Sequence, residues 1–135
     1  MLEGWHEDEY IILFEVEEAL AIAGACELDA MLPGFSVLGL RSWQDFIVQD
    51  QAGATFTIPS VPIDTQYMAS FNLPEPSQLQ PDAQLVSKVK WLLKPLVFGG
   101  SPEAEDNVSW VTHQQHGELV RWWNEQYRSA KASQA

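Results

Sequence analysis

Two alternating runs separated by a short glycine-containing loop constrain this chain more than anything else in it. In Asp45 to Asp50, Phe46 and Val48 face one way while Asp45 and Gln49 face the other. In Thr55 to Ile58, Phe56 and Ile58 oppose Thr55 and Thr57. Gly53, in the Gln51-Ala52-Gly53 connection, supplies a positive φ at no steric cost. The pattern predicts a β-hairpin with one buried face. Pro59 and Pro62 then end the second strand, since neither can donate to a ladder.

The flanking residues extend this unit. Tyr10-Ile11-Ile12-Leu13-Phe14 is a continuous apolar run of β-formers, as expected of a central strand buried on both faces. Before it, residues 1–9 read as an irregular acidic lead-in. After it, Val16, Ala19, Leu20 and Ala23 fall at helical spacing with Glu17 and Glu18 outside, so a short helix with these four as its apolar stripe is expected over Glu15 to Cys26. Gly24 offers an earlier stop. Leu32-Pro33-Gly34 is a turn, and Val37 to Leu40 adds a further strand.

Beyond Pro62 the prolines at 74, 76 and 81 mark a surface connection. Two patterns compete over 83–93. Leu85, Val86, Val89, Leu92 and Leu93 form a helical stripe with Asp82 as N-cap and Pro95 as stop, whereas Val89, Trp91 and Leu93 alternate with Lys88, Lys90 and Lys94 as in a strand. The helix is preferred. Gly99-Gly100-Ser101-Pro102 breaks the short apolar run before it, and Glu103 to Asn107 is an exposed acidic loop. Thr112-His113-Gln114-Gln115 is a capping box that opens a final helix. His116, Leu119, Val120, Trp123 and Tyr127 form its buried stripe, Trp122 lies at the edge, and 129–135 should fray.

Charge narrows the function classes. Asp plus Glu number 19 against 7 Lys plus Arg, a net charge of -12. Glu3, Glu7, Asp8, Glu9, Glu15, Glu17, Glu18, Glu27 and Asp29 all precede residue 40, and no Lys or Arg does. Such a surface repels nucleic acid, whose binding depends on neutralising phosphates, and attracts basic proteins. Lys88, Lys90 and Lys94 around Trp91 make only a weak nucleic-acid footprint. The length of 135 residues suits one domain with a real core. One cysteine, Cys26, excludes an internal disulfide and fits a reducing compartment. The first residues lack the basic and apolar regions of a signal peptide, and no apolar run is long enough to span a bilayer. A cytoplasmic protein is expected.

No catalytic constellation is recognisable. His113 and His116 lack a third metal ligand at a suitable spacing, and His6-Glu7-Asp8-Glu9 lacks the pattern of a calcium loop. There is no G-x-S-x-G, Cys26 reads as a small buried residue, and Gly99-Gly100-Ser101 has no following Lys to make a phosphate cradle. Neither enzyme activity, a cofactor nor a metal is expected. The tryptophans divide by neighbourhood: Trp91, Trp110 and Trp123 as core, and Trp5, Trp43 and Trp122 as exposed. Exposed Trp beside unneutralised carboxylates has the chemistry of a protein-binding face.

The order Tyr10–Phe14 strand, short acidic helix, Leu32-Pro33-Gly34, Leu38-Gly39-Leu40 strand, Asp45–Ile58 hairpin and Val61-Pro62-Ile63-Asp64 exit resembles the core of the SUKH superfamily over residues 10–71. That superfamily includes bacterial immunity proteins and yeast regulators of cell-wall synthesis. The family's upstream proline-and-aromatic segment has no counterpart here, and the run from Trp110 to Arg128 is not a family hallmark. The resemblance implies an α+β fold over residues 1–135: a mainly antiparallel twisted sheet, a central hairpin and a C-terminal amphipathic helix packed on it. It also implies a non-enzymatic protein that neutralises a toxin, frequently a nuclease. It transfers no catalytic residues. The expected partner is a basic protein, with neither nucleic acid nor membrane involved. The expected contact residues are Trp5, Glu7, Asp8, Glu9, Glu17, Glu18, Trp43, Glu103, Glu105 and Asp106. A regulatory or scaffold module binding an endogenous protein is the alternative, and a small-ligand binder or enzyme, recognisable by a deep pocket, is the third reading.

Overall fold

The computed structural model describes residues 1–101 and 103–133. The fold is α+β. Six antiparallel strands succeed one another as neighbours in a single meander: β1 (Leu2–His6), β2 (Glu9–Leu13), β3 (Ser36–Arg41), β4 (Asp45–Gln49), β5 (Thr55–Pro59) and β6 (Ala69–Ser70). The expected hairpin is β4–β5, with Phe46 opposite Ile58 and Val48 opposite Phe56. Gly53 has φ 92°, and the Asp50 carboxylate accepts from the Ala52 and Ala54 N–H groups to close the loop. Pro59 is the last residue of its strand.

Strand β2 lies inside the sheet between β1 and β3, and Tyr10, Ile11 and Ile12 are fully buried. Its two faces feed two clusters. Tyr10 and Ile12 join Leu40, Phe46, Val48 and Ile58 in the main core under the helices. Ile11 joins Ile47 and Leu79 on the other face, which the returning segment covers.

The lead-in is not irregular. Residues 2–6 form β1, paired with β2 from Leu2↔Leu13 to His6↔Glu9. Its other edge makes a two-hydrogen-bond bridge between Trp5 and Gln80, so the strand is held on both sides despite its weak sequence pattern.

Helix α1 (Val16–Cys26) forms as expected and Gly24 does not stop it, but its buried stripe is rotated. Val16 and Leu20 are exposed, at 76% and 69%, while Ile22 and Cys26 are buried with Ala19 and Ala23 packed beside them. Apolar side chains surround this helix, so two stripes of the same period are available. The choice is made by packing against β3 and the C-terminal helix. A four-residue helix, α2 (Leu28–Met31), comes next and buries Leu28.

The helix preferred over 83–93 is corrected to a strand. Asp82 does accept from the Gln84 N–H, but its carboxylate also accepts from the Trp5 indole, and a left-handed Ser87 (φ 65°) ends the turn. The chain then extends as β7 (Val89–Leu92), paired with β8 (Val108–Val111) in a separate two-stranded sheet. The strand forms, and Val89 and Trp91 are buried as the alternation has it, but Leu93 is 54% exposed and Leu92 is buried in its place. A partner strand sixteen or more residues away outweighs local helical periodicity.

Helix α3 (His113–Ser133) opens with the expected capping box: the Thr112 hydroxyl accepts from the Gln115 N–H, and the Gln115 side chain accepts from the Thr112 N–H. His116 and Val120 are buried, with Leu119, Trp123 and Tyr127 half-buried. The helix continues through positions expected to fray. Residues 134, 135 and Pro102 lie outside the described residues. A Cβ on Gly117 would stand 2.8 Å from the Ala25 side chain, so this glycine sets the close approach of α3 to α1.

Candidate functional site

The expected contact residues do not form one surface. Glu7 and Asp8 make the turn between β1 and β2, where Glu7 has φ 58°. Glu17 stands in the first turn of α1, beyond the other end of that hairpin. Four strand steps, roughly 13 Å, separate the two groups. Glu103, Glu105 and Asp106 lie in the connection before β8. All six side chains are exposed, and among the described residues none forms an ion pair or side-chain hydrogen bond.

Four expected contact residues have structural work instead. Glu18 accepts from the Glu15 N–H and closes the start of α1, which holds its carboxyl below the usual range. Glu9 pairs with Arg41. Trp5 is half-buried, donating from its indole nitrogen to Asp82 and standing edge-on to Tyr10 and Trp43. Trp43 is buried, not exposed, and stacks on Tyr10 at 4.8 Å. Trp110, expected in the core, is instead 44% exposed and meets Trp43 edge-on. Trp43 and Trp110 thus exchange roles, because a polar neighbourhood in sequence does not report what a turn folds onto.

Trp43 introduces a site that sequence reasoning missed. It sits in the three-residue turn between β3 and β4 with φ 62°, after Ser42 at φ 47°. A bulky residue there is strained by ~1–3 kcal/mol. Aromatic packing against Tyr10 and Trp110 holds it in place. Trp43 forms part of the wall of a cavity of about 330 Å³. The β4 start and β5 end, the Ser60–Pro62 loop, Tyr67, β7 and the Pro95–Val97 turn supply the rest.

The loop wall is fixed from behind by α3. Asn124, only 1% exposed, accepts from the Ile63 N–H at 2.7 Å and donates to the Ser60 carbonyl at 2.7 Å and the Val120 carbonyl at 2.8 Å. Beside Ile63 in the chain, Asp64 receives hydrogen bonds from Lys131, Gln66 and Tyr127. The Lys131 ammonium is the largest influence holding the Asp64 carboxyl well below its usual range. The proline-rich exit of the hairpin is therefore a braced loop. A clue lay in the sequence, where Asn124 interrupts an otherwise apolar helical face.

The cavity is mostly apolar, and its charged groups are few. Asp45 is engaged by the Arg41 guanidinium, whereas Lys90 makes no ion pair or hydrogen bond among the described residues. Ser60, Gln44 and the Tyr67 side chain add neutral polar atoms. The histidines lie elsewhere. His116 is packed between Phe46 and Trp91, and burial pushes it down to about 3. His113 is half-buried against Phe14, with burial again lowering its pKa. Burial pushes the Cys26 thiol up to about 11, which suits an inert core residue. Among the described residues no group of three or more His, Cys, Asp or Glu is placed to hold a metal ion, and no helix is long and apolar enough to cross a membrane.

Fold and site together define an α+β domain with unneutralised carboxylates at separate points on its surface and a braced aromatic cavity at one end of its sheet. No protein-family model, curated protein or solved structure matches the chain.

Proposed function

We propose that this chain is a non-enzymatic binding domain that meets a basic protein partner. The observation that carries this reading is the set of six exposed carboxylates without a counter-ion among the described residues: Glu7, Asp8, Glu17, Glu103, Glu105 and Asp106. Among the described residues the basic groups that form ion pairs do so with other acids: the N-terminal ammonium with Glu15 and Glu18, Arg41 with Glu9 and Asp45, Arg121 with Glu27, and Lys131 with Asp64. The chain carries a net charge of -12, and these six exposed carboxylates contribute to its outward field. A field of this sign speeds the approach of a basic surface and suppresses acidic ones.

The SUKH-like order of residues 10–71 gives this reading its specific form, an immunity protein that neutralises a toxin. An acidic inhibitor suits a nuclease, whose cleft is basic in order to hold phosphates. The test is to immobilise the protein, pass source-cell lysate over it at low salt, and identify what a salt gradient releases. The immunity reading expects one basic protein that is toxic when expressed alone and tolerated when co-expressed with this chain. A non-toxic housekeeping partner would move the conclusion to a regulatory or scaffold module, and retention of no basic protein would overturn the electrostatic reading.

A further inference from the structure

The cavity beside Trp43 is independent of the carboxylates and has chemistry of its own. Its walls are aromatic and proline-rich, with Trp43 and Trp91 as large flat groups, Pro59 at the end of β5 and Pro62 on the braced loop. Its rim is apolar and open: Tyr67, Leu96 and Val97 are 47%, 49% and 38% exposed. Its volume, about 330 Å³, falls at the small end of ligand pockets, which span roughly 300–1,000 Å³. That is too little for a folded partner's side-chain cluster and enough for one fused-ring body with a short polar arm.

The charge inside the cavity selects the arm. Asp45 is already engaged by the Arg41 guanidinium, which Glu9 also approaches. Lys90 is half-buried in the same wall with no described acid paired to it, in a chain where acids outnumber bases 19 to 7. Lys88 and Lys94, its neighbours along the chain, are likewise outside any ion pair among the described residues. A charge-assisted hydrogen bond between an ammonium and a carboxylate is shorter and stronger than one between neutral groups. The Asn124 brace means the wall need not be ordered on binding, which removes a cost that a floppy loop would carry.

We infer that this cavity is a binding site for a small planar apolar carboxylate, its ring body seated among Trp43, Trp91 and the prolines and its carboxylate on the Lys90 ammonium.

The probes are 1-naphthaleneacetate and its neutral amide, titrated separately into ¹⁵N-labelled protein while the indole N–H signals are followed. The expected result is a saturable one-to-one shift of the Trp43 and Trp91 signals with the Trp122 signal still, and an affinity for the acid about tenfold above that for the amide. Lys90→Gln should remove the preference for the acid, so that acid and amide bind alike and both still shift the Trp43 and Trp91 signals saturably. Val97→Glu, an exposed rim substitution, should weaken the acid more than the amide. Equal affinities for acid and amide in the natural sequence would overturn the assignment of Lys90. A lack of saturable shift with either compound would overturn the site.

Discussion

Asn124 is the residue on which the cavity wall depends. Its amide closes three hydrogen bonds in a buried setting, two of them to a loop more than sixty residues away. Removing it strands the Ile63 N–H and the Ser60 carbonyl, and each buried unpaired group costs about 1–3 kcal/mol. Asn124→Ala should therefore lower unfolding free energy by roughly 2–4 kcal/mol, read from urea midpoints at constant slope. A loss below about 0.5 kcal/mol, the size of an ordinary surface change, would show that the loop does not need this brace. His116 gives a second prediction at the same scale. Its folded pKa, about 3, lies below the ordinary value of 6.5, so the unfolded chain takes up the proton first as pH falls. The stability tied to neutral His116 is complete above pH 6.5 and is lost progressively toward pH 3, by at most ~1.4 kcal/mol per pH unit. The difference in stability between pH 7 and pH 4 should be larger for the natural protein than for His116→Leu. Equal differences would place the acid sensitivity on other groups.

Among the elements, those written in strictly local patterns are legible in the sequence alone. The β4–β5 hairpin has its alternation, its glycine and its terminating proline within fifteen residues, and α3 announces itself through Thr112 and Gln115. The elements that local pattern misreads take their definition from distant partners. Strand β1 is acidic and carries a glycine, yet β2 and Gln80 hold it from both sides. Strand β7 looks helical until β8 pairs with it. Helix α1 has the expected span but buries a different face, since only contact with α3 and β3 distinguishes its two apolar stripes. The rotation is testable. Ile22→Ala should cost about 2–5 kcal/mol, whereas Leu20→Ser should stay within about 0.5 kcal/mol, both by urea denaturation. The reverse ranking would put Leu20, not Ile22, against the core. The candidate site is less legible than the fold. Its exposed carboxylates can be read from charge alone, but Glu9 and Glu18 are engaged within the protein, and the cavity is assembled from separate stretches that no linear pattern joins.

Across the whole molecule, two features of opposite character coexist. The chain carries a charge of -12 with six expected contact acids left unpaired among the described residues, while one aromatic cavity is lined by a lysine without an ion pair among those residues. The first is long-range and salt-sensitive, suited to drawing in a basic protein; the second is short-range and suited to a small anion. Glu18 is excluded from any charge-reversal test because it closes α1, so its loss would confuse stability with binding. Among the described residues none of the other six acids makes a side-chain hydrogen bond or ion pair, and the Glu17 change, in the first turn of α1, is checked for stability by urea denaturation before use. The deciding measurement compares two columns, one carrying the natural protein and one carrying the variant with Glu7, Asp8, Glu17, Glu103, Glu105 and Asp106 all changed to Lys, each loaded with the same lysate at low salt. A basic protein should be held by the first column, released as salt rises, and passed by the second. The same protein retained equally on both columns would contradict the electrostatic account.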